Sequence, residues 1–125
     1  MSKYEELHFC IVVPSYNNVE KNRHINNINS ILMQEYKNYH IVFIDDASTD
    51  GTGEQVEQFL IANQTKIPSE RFIVVKNKEQ KRAMPNLRIA AKQYCKPEDI
   101  FLIVDGDDEL LGRQVFKLFN SVFQK

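Results

Sequence analysis

The segment Ile100–Glu109 reads Ile-Phe-Leu-Ile-Val-Asp-Gly-Asp-Asp-Glu, so five consecutive apolar residues run directly into a group of carboxylates. An apolar run of this length, rich in β-branched and aromatic residues, is typical of a strand buried on both faces. Asp105, Asp107 and Asp108 should then lie together at the end of that strand, where such charge is costly unless water or a cation neutralises it. Because Mg²⁺ and Mn²⁺ prefer carboxylate oxygens, the segment indicates a divalent-metal site for a phosphorylated ligand. A solvated acidic turn is the alternative interpretation.

The length, net charge and apolar runs of the chain restrict the class of protein. The chain has 125 residues, which fits a single domain with one core. Its formal net charge of -1 argues against a dedicated nucleic-acid binder, since such proteins usually carry a clear basic excess. No apolar run approaches the roughly 20 residues that a membrane span needs, and Met1–His8 is too polar for a signal peptide. We therefore expect a cytoplasmic protein, or a cytosol-facing part of a larger one.

The two cysteines, Cys10 and Cys95, lie far apart in the sequence and in apolar surroundings. Two such residues do not form the dense cysteine pattern of a small disulfide-stabilised domain. We interpret them as reduced thiols in the core of an intracellular protein.

Predicted strands and helices alternate along the chain. Three more apolar segments have the length and composition of strands: His8–Val13, His40–Ile44 and Phe72–Val75. Apolar residues at helical spacing predict a helix over Glu20–Gln34, a second after Thr52, and a third whose first turn holds Pro85. Thr52 and Gln55 also have the spacing of a capping box. The alternation predicts an α/β domain with a mainly parallel sheet and right-handed crossovers.

The last segment, Gly112–Lys125, is apolar over much of its circumference. Its large apolar residues are Val115, Phe116, Leu118, Phe119, Val122 and Phe123. These are more than one face of a single helix can bury. We therefore expect that residues 1–125 form one domain truncated at its C-terminal end, and that this segment contacts either the missing half or a second copy of the chain.

The residues with unusual chemistry all follow predicted strands, where ligands bind in open α/β sheets. They lie in Pro14–Asn17, Asp45–Thr52, Lys76–Arg82 and Asp105–Asp108. Tyr16 is suited to stacking on a base, and Asp46 is suited to accepting a hydrogen bond from a base N–H. Lys81 or Arg82, just before a helix N-terminus, is suited to contact phosphate oxygens.

Each of these residues also has an interpretation without a ligand. Tyr16 could simply cover the sheet edge, and Asp50 could cap the next helix. Lys78, Lys81 and Arg82 could belong to an ordinary solvated loop. Signatures of serine hydrolases, zinc sites and P-loops are absent. No function is assigned to the three histidines, which show neither metal-ligand spacing nor a partner constellation: His8, His24 and His40.

Three segments together resemble the nucleotide-binding half of family 2 glycosyltransferases of the GT-A fold. They are Val12–Asn17, Ile44–Thr52 and Val104–Asp108, in the order and at the spacing of that family. Ser30–Gln34 and Asn86 also fit its pattern, and the resemblance covers about residues 8–112. It implies a three-layer, Rossmann-like α/β fold with helices on both faces of a mainly parallel sheet.

The resemblance also implies a binding site. Pro14 and Tyr16 match residues that line the base pocket of the family, and Asp46 matches an aspartate that meets the base, usually uracil. Asp105 and Asp107 occupy the D-x-D positions, which face the ribose and an Mn²⁺ or Mg²⁺ ion that bridges the diphosphate.

The activity implied is metal-dependent, inverting transfer of a sugar from a nucleotide-sugar, expected to be a UDP-sugar, to an acceptor hydroxyl by a hexosyltransferase-like enzyme. Two features depart from the family pattern. Gly112-Arg113 stands where the family often has proline, and the family places its acceptor site and catalytic base in a second half that this chain lacks. No catalytic residue is therefore assigned.

Two other functions compete with this interpretation. A phosphatase of the haloacid-dehalogenase type also has a hydrophobic strand followed by D-x-D, as in Val104–Asp107, but there the nucleophilic aspartate lies near the chain start and further catalytic segments follow. A non-catalytic nucleotide-sugar-binding or interaction module is the second alternative, and the missing base supports it. Turnover assays with donor alone and with donor plus acceptors separate these functions.

Overall fold

The computed structural model describes residues 5–124, whose strands form one parallel sheet. The strands are β1 (Phe9–Ser15), β2 (Tyr39–Asp45), β3 (Phe72–Lys76) and β4 (Ile100–Ile103). They lie in the order β3-β2-β1-β4, and each neighbouring pair is parallel. The predicted α/β fold with its parallel sheet is confirmed.

Helices lie between and after the strands. Within residues 5–124 the α-helices are α1 (Arg23–Leu32), α2 (Thr52–Ala62), α3 (Ala83–Gln93) and α4 (Val115–Val122). Two short 3₁₀ turns, Glu20–Asn22 and Ser69–Arg71, precede α1 and β3. Pro85 falls in the first turn of α3, where its missing N–H costs no hydrogen bond.

The two faces of β1 contribute to two hydrophobic clusters, because alternate residues of a strand point to opposite sides of the sheet. Phe9, Ile11 and Val13 are fully buried with apolar residues of α1, α2 and α4. Cys10 and Val12 are buried in the second cluster, with α3. Helices therefore cover both faces of the sheet, which is the predicted three-layer arrangement.

The first helix is shorter at both ends than predicted. Its start moves to Arg23 because Lys21 and Asn22 have left-handed backbone angles, with φ of 57° and 56°. A right-handed helix cannot include such residues. Its end moves from Gln34 to Leu32.

The capping box predicted for Thr52 and Gln55 is wrong. Thr52 Oγ1 donates to the Asp50 carboxylate and accepts from the Asn18 N–H at 3.0 Å. Gln55 Oε1 lies 2.6 Å from His24 Nε2. Both side chains bond to segments that are distant in the sequence, which local spacing could not reveal.

The last helix is also shorter than predicted. The segment Gly112–Lys125 is α-helical over Val115–Val122, and Lys125 lies outside the described residues. Phe116 is fully buried, whereas Leu118 and Val122 are 61% and 66% exposed. In the described part of the chain no helix has the length and apolar character needed to cross a membrane.

The interpretation of Cys10 and Cys95 as reduced thiols is wrong. They form a disulfide, with Cα atoms 5.7 Å apart although 85 positions separate them in the sequence. Cys10 lies in β1, and Cys95 follows the C-terminal end of α3, which packs on the same face of that strand. Because disulfides persist mainly in oxidising compartments, the cysteines no longer support a cytoplasmic location.

Candidate functional site

A cleft of about 430 Å³ opens at the carboxyl ends of the strands. Six side chains that the sequence predicts for ligand or metal binding line this cleft: Pro14, Tyr16, Asp46, Arg82, Asp105 and Asp107. Lys81, the alternative to Arg82, does not line it. Residues from four separate strand ends are therefore brought to one concave surface.

The loop that carries Tyr16 is fixed by the loop that follows β2. Three consecutive N–H groups donate to side chains of that second loop: Asn17 to Ser48 Oγ (2.9 Å), Asn18 to Thr52 Oγ1 (3.0 Å) and Val19 to Asp50 Oδ2 (3.1 Å). Tyr16 is 43% exposed on this fixed backbone, so its ring is available to a ligand. The segment Ser48–Thr52 thus acts as a scaffold for the first loop.

Asp50 and Asp45 have structural roles next to the cleft. Asp50 Oδ1 accepts from the Thr52 N–H at 3.0 Å, at the start of α2. Burial acts to raise the pKa of Asp50. Hydrogen bonds to its carboxylate, of which the one from the Thr52 side chain has the largest effect, outweigh burial and lower the pKa. For Asp45, burial dominates and raises the pKa, although hydrogen bonds from Ser48 oppose the shift. A Cβ atom at Gly53 would lie 2.5 Å from Asp45 Oδ2, so only glycine permits this close approach.

Asp46 is buried and holds the loop that precedes α3. Its Oδ1 accepts from the Asn77 side-chain amide (3.0 Å) and the Lys81 N–H (2.8 Å), and its Oδ2 accepts from the Arg82 N–H (2.8 Å). Burial acts to raise the pKa of Asp46, but these hydrogen bonds outweigh it and the pKa lies below its ordinary value. A carboxylate offers about four acceptor positions. Three are occupied by these bonds, and the Asn86 side chain also interacts with the carboxylate and lowers its pKa. At most one acceptor position therefore remains for a ligand.

Arg82 has a strained backbone. Its φ of 68° and ψ of 175° fall in a region that is essentially reserved for glycine, at a cost of about 1–3 kcal/mol. The hydrogen bond from its N–H to Asp46 maintains this conformation. Because α3 begins at Ala83, the strained residue places an exposed guanidinium in the cleft beside a helix N-terminus.

The acidic turn, Asp105–Asp108, is held on two sides by the rest of the fold. The Gly106 N–H donates to the Pro14 carbonyl at 2.9 Å. A Cβ atom at Gly106 would lie 2.5 Å from Ser15 Cβ, so glycine is required for this contact with β1. From α1, the buried Asn27 donates through Nδ2 to two carbonyl oxygens of the turn, at 2.9 and 2.8 Å.

Asp105 and Asp107 are exposed on this turn and line the cleft. Within residues 5–124 neither carboxylate accepts a hydrogen bond or forms a salt bridge, so both are available to a cation. Mg²⁺ and Mn²⁺ are typically held by one or two carboxylates together with phosphate oxygens and water. The donor set and its fixed backbone fit such an ion.

Some residues that position the site were missed by the sequence analysis. Asn77 carries no motif, yet it donates to both Asp46 (3.0 Å) and Asn86 (2.9 Å). Asn27 fixes the acidic turn from a different element. Asn27 alone offered a sequence signal, as a polar amide within a predicted amphipathic helix, where a buried group needs hydrogen-bond partners. Asn77 lies in a polar loop and offered none.

The statement that the histidines lack partners is also wrong. His8 Nε2 lies 2.8 Å from His40 Nδ1, at the amino ends of the strands. His24 is buried against Gln55. The pairing of His8 with His40 depends on the register of β1 and β2, in which Phe9 lies opposite Tyr39.

Known structures share this architecture. The mannosyltransferase PcManGT from Pyrobaculum calidifontis, in complex with GDP-Man and Mn²⁺, has a TM-score of 0.76 at 22% identity, over 94% of this chain and 32% of that one. Residues 1–349 of S. aureus TarS, in complex with UDP-GlcNAc, give a TM-score of 0.71 at 24% identity, over 92% and 30% of the two chains. The neighbours are GT-A glycosyltransferases, and the fold is therefore of the GT-A, Rossmann-like class.

Sequence comparison then identifies the family. The sequence profile described as glycosyl transferase family 2 matches residues 10–124, and the chain belongs to this family. A relative from Bacillus subtilis (strain 168) that is named as a glycosyltransferase, EpsE, is 34% identical over 90 residues, which are 72% of this chain and 30% of EpsE. The chain spans about a third of the length of the curated relatives it matches.

Proposed function

We propose that this chain is the donor-binding domain of a metal-dependent, inverting glycosyltransferase that uses a UDP-sugar. The observation that carries the proposal is the convergence of six side chains from four strand ends on one cleft. Membership of glycosyl transferase family 2 supports it. So do the bound molecules of two structural neighbours, GDP-Man in PcManGT and UDP-GlcNAc in TarS.

The remaining acceptor position of Asp46 favours uracil as the base. Uracil presents a single ring N–H, whereas guanine presents a ring N–H and an adjacent amino group that together suit a carboxylate with two free oxygens. Oδ1 of Asp46 already accepts two hydrogen bonds, and Oδ2 accepts one. Tyr16, exposed beside it, supplies an aromatic face on which the base can stack.

The diphosphate is assigned to the part of the cleft that is lined by Arg82 and the acidic turn. The Arg82 guanidinium lies at the N-terminus of α3, where both its own charge and the helix dipole attract phosphate oxygens. Asp105 and Asp107 would hold an Mn²⁺ or Mg²⁺ ion. When bound, such an ion neutralises charge on the nucleoside diphosphate as it leaves.

In the transfer step, the acceptor hydroxyl oxygen attacks the anomeric carbon on the face opposite the diphosphate. The bond from that carbon to the diphosphate breaks, which inverts the configuration, and the hydroxyl proton passes to a general base. This chain's assigned residues bind and orient the donor. The base and the acceptor are left unassigned.

Calorimetric titration of UDP tests the proposal. We expect binding with Mn²⁺ or Mg²⁺ present and a large loss of affinity in chelator, because the diphosphate would otherwise face Asp105 and Asp107 as like charges. GDP should bind more weakly than UDP. Equal UDP affinity with and without chelator would contradict the metal bridge, and a preference for GDP would contradict the assignment of the base.

Two carboxylate variants of the acidic turn form a matched pair. Asp107→Asn should abolish the metal-dependent part of UDP binding. Asp108→Asn should leave it unchanged, because Asp108 is exposed on the same turn but does not line the cleft. Equal losses in both variants would indicate a general effect of charge rather than a metal ligand.

A further inference from the structure

A second cluster of ligand-type side chains lies at the opposite edge of the sheet from the cleft. His8 precedes β1, His40 lies in β2 and Asp99 precedes β4, so three adjacent strands contribute one residue each. One ligand atom of each residue lies within 4.8 Å of the others, and all three residues are half-buried. This cluster is independent of the proposed nucleotide site.

In each ring of the His8–His40 pair, one nitrogen faces the other ring (the inner nitrogen) and one faces away from it (the outer nitrogen). The hydrogen bond at the outer nitrogen determines where the ring carries its proton. His8 Nδ1 lies 2.6 Å from Asn38 Oδ1, and the Asn38 amide is oriented by its own donation to the Glu6 carbonyl at 2.7 Å. His40 Nε2 lies 2.8 Å from the Tyr94 carbonyl. Both partners are acceptors, so each outer nitrogen must be the N–H donor.

The inner nitrogens are consequently left with lone pairs in the neutral rings. His8 Nε2 and His40 Nδ1 face each other at 2.8 Å, a distance at which two lone pairs repel unless a cation lies between or beside them. A metal-binding histidine typically shows this arrangement, with its other ring N–H donated to a carbonyl oxygen that fixes the tautomer. Asp99 completes the group, and its backbone turn is fixed by the Lys96 N–H, which donates to Oδ2 at 2.8 Å.

The surroundings are compatible with a cation. The cavity around the cluster is lined by the carboxylates of Glu70, Glu98 and Asp99 and by the cations of Arg71 and Lys96. If both imidazoles are neutral, the three negative and two positive groups give this cavity a net charge of one negative unit. The Arg71 guanidinium is engaged by the carbonyls of Tyr39 and Lys37, to which it donates.

We propose that His8 Nε2, His40 Nδ1 and the Asp99 carboxylate bind a first-row transition-metal ion of the Zn²⁺ type. Imidazole and carboxylate ligands suit Zn²⁺, and three protein ligands leave the fourth tetrahedral position to water. Two Zn–N bonds at a tetrahedral angle span about 3.3 Å between nitrogens. A small side-chain rotation opens the present 2.8 Å to that value. The site would join the amino ends of β2, β1 and β4.

Zn²⁺ titration of the oxidised full chain, with absence of free thiols verified, tests the proposal. We expect one Zn²⁺ per chain, with binding lost in His8→Ala and His40→Ala and retained in Asp107→Asn, which alters only the nucleotide cleft. Asn38→Ala removes the group that orients His8, so the Zn²⁺ affinity of this variant should be about 10–100-fold lower than that of the wild type. Circular dichroism of each variant verifies that the fold is intact.

Nitrogen-15 NMR of the histidine rings gives a readout that does not depend on affinity. On Zn²⁺ addition, His8 Nε2 and His40 Nδ1 should shift, while the buried third histidine, His24, should not. Unchanged Zn²⁺ affinity in both histidine variants would overturn the proposal, as would loss of binding in Asp107→Asn. A wild-type protein that takes up no Zn²⁺ and instead shares one proton between the two inner nitrogens would also overturn it.

Discussion

At Arg82 the backbone and the side chain have separate roles, and two substitutions distinguish them. Arg82→Gly removes the guanidinium but suits a φ of 68°, whereas Arg82→Ala removes it and keeps the strain. The glycine variant should therefore be more stable than the alanine variant by about 1–3 kcal/mol. Both should lose UDP affinity to a similar extent, because both lack the phosphate contact.

Urea unfolding and UDP titration of the two Arg82 variants check this pair of expectations. Equal stability would show that the backbone of residue 82 relaxes without cost. Unchanged UDP affinity in both would remove Arg82 from the phosphate site.

Asp46 should contribute a pH-dependent part of the stability. Its pKa is lowered in the folded protein from the ordinary value of 3.8, so its contribution is fully present above that value and is lost as the pH falls through the folded pKa. Asp46→Asn places an amide where three donors converge, so it should lower the free energy of unfolding by about 1–3 kcal/mol at neutral pH. The difference from the wild type should shrink on acidification below about pH 4.

Asp45→Asn is the control for this pH experiment. Burial raises the pKa of Asp45 in the folded protein, so its contribution to stability grows as the pH falls through the raised pKa. The difference curves of the two variants, measured by urea unfolding across pH, should therefore have opposite slopes. Parallel curves would contradict the distinct environments of these neighbouring carboxylates.

Among the loops, the acidic turn depends on a glycine for its position. Gly106→Ala would place a methyl group 2.5 Å from Ser15 Cβ and 2.9 Å from the Pro14 carbonyl oxygen. The turn must then move away from β1, which should cost about 1–3 kcal/mol and displace Asp105 and Asp107 from the cleft. Metal-dependent UDP binding should be lost.

Gly112→Ala is the matched control for Gly106→Ala. Gly112 has φ of 87° and open space around its Cβ position, so alanine there is strained but clashes with nothing. It should cost about 1–2 kcal/mol of stability and leave UDP affinity unchanged. Equal loss of UDP binding in both variants, by calorimetry, would indicate general destabilisation instead of displacement of the turn.

The strands were predictable because each can be recognised from the residues of its own segment. The ends of the helices were less predictable. Four apolar runs separated by helical patterns sufficed for the parallel sheet. The prediction that the strand before the acidic turn is buried on both faces is wrong, because β4 lies at an edge of the sheet and its Phe101 and Ile103 are 37% and 48% exposed. The left-handed residues Lys21 and Asn22 carry no such signal, and α1 therefore starts later than expected. The bonds that replace the Thr52–Gln55 capping box join different elements, so they depend on the completed fold.

At the scale of the whole molecule, the cleft was predictable and its support was not. The six predicted residues that line it lie at or after strand ends, and parallel strands bring such ends to one edge. The contacts of Asn77 and Asn27 with the site, and the pairing of Cys10 with Cys95, link positions whose proximity only the tertiary structure creates. No pattern of spacing indicates these contacts.

The disulfide should contribute strongly to the stability of the whole domain. It closes a loop of 85 positions, and a cross-link over a loop of this size restricts the unfolded chain enough to stabilise the fold by about 2–5 kcal/mol. Urea unfolding with and without reductant should show this difference in the wild type. A Cys10→Ala/Cys95→Ala variant should be less stable and insensitive to reductant. A fully reduced wild type of unchanged stability would contradict the expectation.

The same disulfide divides the chain into a covalent ring and two tails, of which the longer is the C-terminal one. Residues 10–95 form the ring, so a protease that cuts the exposed segment near Thr65 would leave both pieces joined until reductant separates them. Tyr16, Asp46 and Arg82 lie within the ring, whereas Asp105 and Asp107 lie on the C-terminal tail. Unravelling from the C-terminal end would thus release α4 and then the acidic turn, while the ring keeps the other wall of the cleft together.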